Sequence, residues 1–281
     1  MLSANVRPGP VHLTVADLER SLAYYGSEIG LAVVARDGAT AELGTAERTL
    51  LVLTEEPGAT PADGYTGLYH FALLVPGRID LARWLAHAAR DRVALTGMSD
   101  HAVSEALYLR DPDHHGIEIY CDRPREQWEG RVAELMTTIP LDVNGLLGEL
   151  DDPATATFGG LADGTVMGHV HLRVSDVDST VRFYRDVLGL ELMAQLGPQA
   201  AFLAAGGYHH HLGSNTWESR GAGPAPDGTA RLRHFTLLVP DRTERDAAVQ
   251  RLEQAGHAIE PTDAGPHVRD PSGNALVLAS G

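Results

Sequence analysis

The sequence contains a single cysteine, Cys121. One cysteine excludes an internal disulfide, and it also excludes a zinc cluster held by several thiolates. Long apolar runs are missing as well, because no stretch approaches the roughly 20 consecutive apolar residues that a membrane-spanning helix needs. The opening MLSANVRPGP lacks the basic start and apolar core of a secretory signal peptide, so we expect a cytoplasmic protein.

Positive charge is scarce relative to negative charge. The chain has 22 Lys and Arg against 38 Asp and Glu, which gives a formal net charge of -16 at pH 7. Such a surface repels phosphate groups, which argues against nucleic acid and anionic membranes as partners. Histidine, in contrast, is abundant, with 14 copies. Because nitrogen and oxygen ligands suit iron, manganese, nickel or zinc, the composition favours a metal site of that kind.

The chain of 281 residues is long enough for two domains, and it repeats itself. The segment VHLTVADLERSLAYYGSEIGL (11–31) aligns with VHLRVSDVDSTVRFYRDVLGL (170–190) at an offset of 159 residues. A second pair, HFALLVPGR (70–78) and HFTLLVPDR (234–242), aligns at an offset of 164. Such a duplication predicts two similar halves joined by a linker. We place the N-terminal domain at 1–123, the linker at 124–165 and the C-terminal domain at 166–281.

Each half in turn contains two similar units. In each unit an alternating apolar strand is followed by a helix and then by short strands between glycine-containing turns. Asp176, for example, is a natural N-cap for a helix that begins at Val177. A β-α-β-β-β module of this kind cannot close its own sheet. We therefore predict an α+β fold in which two modules side by side form a cup-shaped sheet of eight strands. The four tandem modules, expected to form two such sheets, lie at about 9–56, 66–122, 167–216 and 231–280.

Three segments carry a resemblance to a known family: GLYHFALLVP, DHAVSEALYLRDPDHHGIEIYCDRP and GGYHHHLGSNTW. Together with the four tandem modules and the paired Asp-Pro turns, they resemble the vicinal oxygen chelate superfamily. Within that superfamily the chain is most similar to the two-domain extradiol (catechol 2,3-) dioxygenases. The likeness covers nearly the whole chain.

The resemblance implies a metal site. In this superfamily a histidine on the first strand of a module and an acidic residue on its last strand face into the cup. The first-strand positions of the four modules are Pro10, His70, His169 and His234. Modules three and four together lack a carboxylate, because Val277 occupies the acidic position, and modules one and two lack the second histidine. Pairing module two with module three completes the two imidazoles and one carboxylate of a non-haem iron(II) centre. The implied ligands are His70, His169 and Glu118.

The same resemblance implies catalytic and substrate-binding residues. Tyr108 lies ten residues before Glu118, where the extradiol enzymes carry a tyrosine that hydrogen-bonds the substrate. His101, just upstream, matches a histidine of these enzymes. His210 matches the second member of their His-His pair, which acts as acid and base. The residues expected to face the substrate are Tyr120, Asp100 and His234.

The remaining histidines are expected to be structural. If residues 209–211 were an extended strand, alternation would turn His210 into the cup and His209 and His211 outward. His12 and His171 follow the first-strand ligand positions, and we expect both to point away from the cup.

The implied function is cleavage of a catechol-type aromatic ring with O2 at an Fe(II) centre, with Mn(II), Ni(II) or Zn(II) as alternative metals. Two other functions stay open. One is a glyoxalase-like isomerase or hydrolase of the same superfamily, and the other is a binding protein that sequesters small molecules. Members of the superfamily commonly dimerise, so a homodimer is also an open alternative.

Overall fold

A computed structural model describes residues 1–280 and shows four β-α-β-β-β modules in chain order. The strands are β1 (Arg7–Val15), β2 (Ala32–Asp37), β3 (Thr40–Thr45), β4 (Arg48–Glu55), β5 (Thr60–Pro61), β6 (Gly67–Leu74), β7 (Gly97–Asp100), β8 (Ser104–Arg110), β9 (Gly116–Asp122), β10 (Ile139–Pro140), β11 (Val166–Arg173), β12 (Glu191–Leu196), β13 (Ala200–Ala204), β14 (Leu212–Asn215), β15 (Thr229–Ala230), β16 (Leu232–Val239), β17 (Glu260–Thr262), β18 (Gly265–Arg269) and β19 (Ala275–Ser280).

Each module carries its main helix after its first strand. In modules one and three an aspartate caps this helix, as its sequence predicts, and Asp176 accepts a hydrogen bond from the backbone N–H of Ser179. Both helices widen into π-helical turns, at Tyr25–Ile29 and Arg182–Leu188. The α-helices are α1 (Leu18–Tyr24), α2 (Arg78–Asp91), α3 (Val132–Leu135), α4 (Val143–Leu147), α5 (Val177–Val181) and α6 (Arg242–Gln254). None of the helices in residues 1–280 is long and apolar enough to cross a membrane.

Modules two and three share one sheet. Its strand order is β10-β7-β8-β9-β6-β11-β14-β13-β12, and the first strands of the two modules, β6 and β11, pair antiparallel near its centre. The pairing that ligand completeness predicts is therefore the pairing in the structure. The sheet has nine strands where eight are predicted, because the linker adds the two-residue strand β10 beside β7.

Modules one and four form the second sheet. Its order is β17-β18-β19-β16-β1-β4-β3-β2, and here too the first strands, β1 and β16, are antiparallel neighbours. A small two-stranded sheet, β5 with β15, accompanies it. Each large sheet thus combines one module from each half of the chain, and the predicted α+β class is confirmed.

Within each half, a buried tyrosine ties one sheet to the other. Tyr25 of module one donates its hydroxyl hydrogen to Asp111 of module two over 2.8 Å. Tyr184 of module three donates to Asp270 of module four over 3.1 Å. The two pairs are related by the same offset of 159 residues as the sequence repeat. Both carboxylates lie in the Asp-Pro turns that precede a last strand, so these turns fix the two sheets against each other.

Candidate metal centre and its cavity

Three buried donor atoms converge in the sheet of modules two and three. Nε2 of His70 lies 3.2 Å from Nε2 of His169, and Oε2 of Glu118 lies 3.0 Å from the first and 3.1 Å from the second. In residues 1–280 this is the one group of three such side chains close enough to hold a metal ion together. The structure therefore brings together the three residues that the resemblance implies.

The strand register explains the convergence. Ala72 on β6 pairs with His169 on β11 to one side and with Glu118 on β9 to the other. His70 stands two residues before Ala72, so its side chain emerges on the same face of the sheet. Because Ala72 carries only a methyl group, the three longer side chains meet above it.

The protonation states suit a metal ion. Burial lowers the pKa of His169 to about 4, although the Glu118 carboxylate opposes this shift. Burial alone would raise the pKa of Glu118, but the neighbouring His169 and His70 hold it well below its ordinary value. At neutral pH the site therefore presents a carboxylate beside an unprotonated His169, as metal binding requires.

The distances also suit a metal ion. Three ligands at right angles to one another, each about 2.1 Å from a metal ion, are about 3.0 Å apart. The three separations of 3.0, 3.1 and 3.2 Å match this arrangement. The residues present therefore fit a divalent ion bound through one face of an octahedron.

A cavity of about 620 Å³ opens beside these ligands. Its wall includes His70 and Glu118 and a largely aromatic side formed by Tyr69, Phe202 and Trp217. The linker contributes as well, since 136–138 also lines the cavity. The cavity is large enough for a small aromatic molecule in contact with the metal ligands.

Tyr108 and His101 line this cavity as a hydrogen-bonded pair. The Tyr108 hydroxyl lies 2.7 Å from Nε2 of His101, and Nδ1 of His101 lies 2.7 Å from the carbonyl oxygen of Thr137. A carbonyl oxygen can only accept, so Nδ1 of His101 carries a hydrogen. In neutral His101 the Nε2 atom is then the acceptor for the Tyr108 hydroxyl.

His210 also lines the cavity, but for a different reason from the predicted one. Residues 208–211 form an irregular loop, and β14 begins only at Leu212, so the argument from strand alternation was wrong. The His210 ring lies 4.1 Å from the ring of His169, centroid to centroid. Burial, together with the surrounding imidazoles, lowers the pKa of His210 well below its ordinary value.

The two neighbours of His210 in the sequence do not line the cavity. His209 is fully buried and lies 2.8 Å from a carboxylate oxygen of Asp122. His211 stacks on the ring of Tyr208, and its Nδ1 accepts a hydrogen bond from the backbone N–H of Ala205. Neither side chain lines the cavity, as expected of both, although an irregular loop rather than strand alternation is the reason.

The three residues expected to face the substrate do not line the cavity. Asp100 is paired with Arg123 over 2.6 Å rather than turned into the cavity. Tyr120 is fully buried behind the ligands, with its ring 5.0 Å from that of His169. His234 belongs to the sheet of modules one and four, where it stacks on His12 at 3.9 Å. The structure does not bring these three residues into the cavity wall.

His171 is a cavity residue that the sequence reasoning missed. It lies in the wall, with its ring 4.9 Å from the ring of His70. Gly213 makes room for it, because a Cβ atom there would lie 2.6 Å from Nδ1 of His171. The expectation that His171 points away was wrong, since residues two apart on a strand share a face. The position of His171 two residues after His169 was therefore the signal to use.

The fold is built from paired β-α-β-β-β modules, and one of its sheets carries three donors that could hold a metal ion. The family model of the Glyoxalase/Bleomycin resistance protein/Dioxygenase superfamily matches residues 7–119 and 166–278. The chain belongs to this superfamily, which confirms the resemblance seen in the sequence.

The chain is similar to one known protein in sequence and to several solved structures in fold. A catechol-2,3-dioxygenase of Bacillus subtilis (strain 168) is 43% identical over 276 residues, covering 96% of this chain and 95% of the relative. Among solved structures, a putative dioxygenase from Bacillus subtilis subsp. subtilis str. 168 has a TM-score of 0.64 at 16% identity, covering 100% of this chain and 86% of the other. Glyoxalase I from Zea mays has a TM-score of 0.60 at 17% identity, covering 98% and 92%. The two structures share the fold.

Proposed function

We propose that this protein is a metal-dependent extradiol dioxygenase. It would open the ring of a catechol-type aromatic beside the hydroxylated carbons and insert both atoms of O2. The observation that carries the proposal is the convergence of His70, His169 and Glu118 beside a partly aromatic cavity. The 43% identity to a protein named catechol-2,3-dioxygenase supports it.

The metal ion belongs to the proposal. The donor set of two imidazoles and one carboxylate is typical of non-haem iron(II) oxygenases, so we propose Fe(II), with Mn(II), Ni(II) or Zn(II) as alternatives. When bound, such an ion supplies Lewis acidity and a common template for the catechol and O2.

Side chains of the protein would transfer the phenolic proton and stabilise the charged substrate oxygen. His210, with its lowered pKa, is neutral at pH 7 and would take a phenolic proton from the catechol and return it later. Burial and the Glu118 carboxylate raise the pKa of Tyr108 well above its ordinary value, so its hydroxyl stays protonated. That hydrogen can turn from His101 to a negatively charged substrate oxygen. One catechol and one O2 give one ring-opened semialdehyde, so no external reductant is consumed.

The remaining cavity residues would bind the ring. Tyr69, Phe202 and Trp217 offer aromatic surface against which a planar substrate can pack. His171, next to His70 in the wall, offers a neutral imidazole to the same space, because burial lowers its pKa well below the ordinary value.

The test is a coupled measurement of metal, O2 and product. Purified protein is loaded with Fe(II) without oxygen, mixed with catechol and then exposed to O2. We expect a yellow ring-opened product and consumption of one O2 per catechol. Fully metal-loaded protein that consumes no O2 with several catechols would show that the dioxygenase proposal is wrong. A glyoxalase-like isomerase would instead turn over its substrate under strict exclusion of O2.

A further inference from the structure

A chain of two hydrogen bonds runs from a carboxylate to His210. Oδ1 of Asp122 lies 2.8 Å from Nε2 of His209, and Nδ1 of His209 lies 2.8 Å from Nδ1 of His210. Asp122 ends strand β9 of module two, whereas the two histidines belong to the loop before β14 of module three. The contact between Asp122 and His209 therefore crosses from one module to the other. Neither of these two residues lines the cavity, whereas His210 does.

We propose that Asp122 and His209 position His210 by fixing its tautomer, with hydrogen on Nδ1 and none on Nε2. This inference rests on the proposed function, in which His210 is the base. It assigns to Asp122 and His209 a role as positioning residues, since neither lines the cavity where the substrate would bind.

The tautomer follows from what each atom can donate. A carboxylate only accepts, so Nε2 of His209 must carry the hydrogen of the first bond. In neutral His209 the Nδ1 atom then has no hydrogen and accepts from Nδ1–H of His210. Neutral His210 has a single ring hydrogen, so its Nε2 is left with a lone pair. Nε2 is also the ring nitrogen that makes no hydrogen bond to residues 1–280.

The neighbouring aromatic side chains hold the hydrogen-bonded residues Asp122, His209 and His210 in place. The ring of Tyr208 lies 4.0 Å from that of His209, and the Tyr208 hydroxyl donates to the same Asp122 oxygen over 3.1 Å. The edge of Trp128 closes another side, with its ring 5.5 Å from His209. Because His209 is fully buried, it has no water to replace these partners.

The arrangement has a consequence for proton transfer. A proton taken up at Nε2 of His210 leaves a cationic imidazole whose Nδ1–H points at His209. The positive charge is then balanced through His209 by the Asp122 carboxylate, as a carboxylate stabilises the imidazolium of a hydrolase triad. Losing this chain should impair the proton-transfer step and leave substrate binding nearly unchanged.

The direct test reads the tautomer without any turnover. Full-length protein labelled with 15N-histidine and loaded with Zn(II), which is diamagnetic, is examined by NMR. We expect His210 to show a protonated Nδ1 and an unprotonated Nε2. A protonated Nε2, as would occur if His209 were a cation that donates to His210, would overturn the inference. An inactive protein that shows the expected tautomer would contradict the proposed function and leave the positioning intact.

Variants of His209 provide a second readout. His209→Gln places an amide near Nε2, where it can still reach Asp122, but it removes the acceptor for His210. His209→Asn does the reverse, because its oxygen takes roughly the position of Nδ1. We expect His209→Gln to lower kcat about 10- to 100-fold with little change in KM, and His209→Asn to recover part of this loss. His211→Asn, at a partly buried neighbour outside this hydrogen-bonded chain, is the matched control. Equal kcat in the wild type and His209→Gln would overturn the inference.

Discussion

Tyr108 and Glu118 stand directly opposite each other across the antiparallel strands β8 and β9. This pairing puts a phenol beside a buried carboxylate, and together with burial the carboxylate keeps the phenol protonated. The ten-residue spacing between them in the sequence is thus the spacing of two partners across a turn. The same relationship places a hydrogen-bond donor at the edge of the metal site.

Removing that donor should slow turnover without releasing the metal. We expect Tyr108→Phe to lower kcat about 100-fold, because a protonated hydroxyl would no longer stabilise the charged substrate oxygen. Metal content and kcat with catechol are the measurements. Tyr65→Phe, at an exposed position, is the control for the loss of a hydroxyl as such. A Tyr108→Phe protein with wild-type kcat would contradict the prediction.

The two copies of the HF-x-LLVP strand should differ in metal binding. His70 and His234 occupy the same position in modules two and four, but they lie in different sheets. We expect His70→Ala to weaken metal binding by at least about 100-fold, more than the loss of a residue that only supports a ligand. His234→Ala should keep the metal. The measurement is the amount of metal bound per protein after dialysis. Metal loss in His234→Ala alone would mean that the metal site lies in the sheet of modules one and four.

Acid should destabilise the protein through the stacked pair His12 and His234. Burial, reinforced by nearby positive charge, lowers the pKa of His12 to about 4 and that of His234 to about 3. Between these values and the ordinary 6.5, the unfolded chain binds protons that the folded chain does not. The free energy of unfolding therefore falls as the pH falls through this range.

The measurement for this pair is urea unfolding at several pH values. His234→Phe keeps an aromatic ring against His12 and removes one titrating group. We expect the variant to lose less stability than the wild type between about pH 7 and pH 4.5. The same slope in both proteins would contradict the assignment of acid sensitivity to this pair.

The tyrosine–aspartate pairs should stabilise both halves of the chain. Tyr184→Phe removes one hydrogen bond from the buried carboxylate of Asp270, and Tyr25→Phe removes the equivalent bond from Asp111. We expect each variant to lower the free energy of unfolding by about 1.5–3 kcal/mol, the range for a hydrogen bond to a charged group. Urea unfolding checks this. Since neither tyrosine lines the cavity, kcat should stay unchanged, and a large loss of kcat would point to a different role.

Much of this fold is predictable from the sequence, because the repeat at offset 159 exposes the module and the module limits the architecture. The pairing of modules two and three was predicted from ligand completeness, since Val277 leaves modules three and four without a carboxylate and Pro10 leaves modules one and two without a second histidine. The convergence of His70, His169 and Glu118 was predicted from the family resemblance, and the strand register in the structure explains it.

The loop from Tyr208 to His211 was not predictable in the same way. Its conformation depends on the contacts of His209 with Asp122 of module two and Trp128 of the linker, which lie more than 80 residues before His209 in the chain. No local pattern carries that information, so the strand assumption gave the wrong reason for the orientation of His209 and missed its contact with Asp122. The prediction that Asp100 faces the substrate failed for a similar reason. Its partner Arg123 is recognisable only once β7 and β9 are folded. The roles of His210, Tyr108 and His101 stay predictions.

The mixed composition of each sheet has a consequence for assembly. His70 and Glu118 come from the first half of the chain and His169 from the second, so neither half alone holds the three donors. A ribosome that has finished only residues 1–123 has made two modules that belong to different sheets. The metal centre is therefore a late product of folding, formed when β11 takes its place beside β6. Two half-chains produced separately would each lack the site and could recover it only by associating with each other.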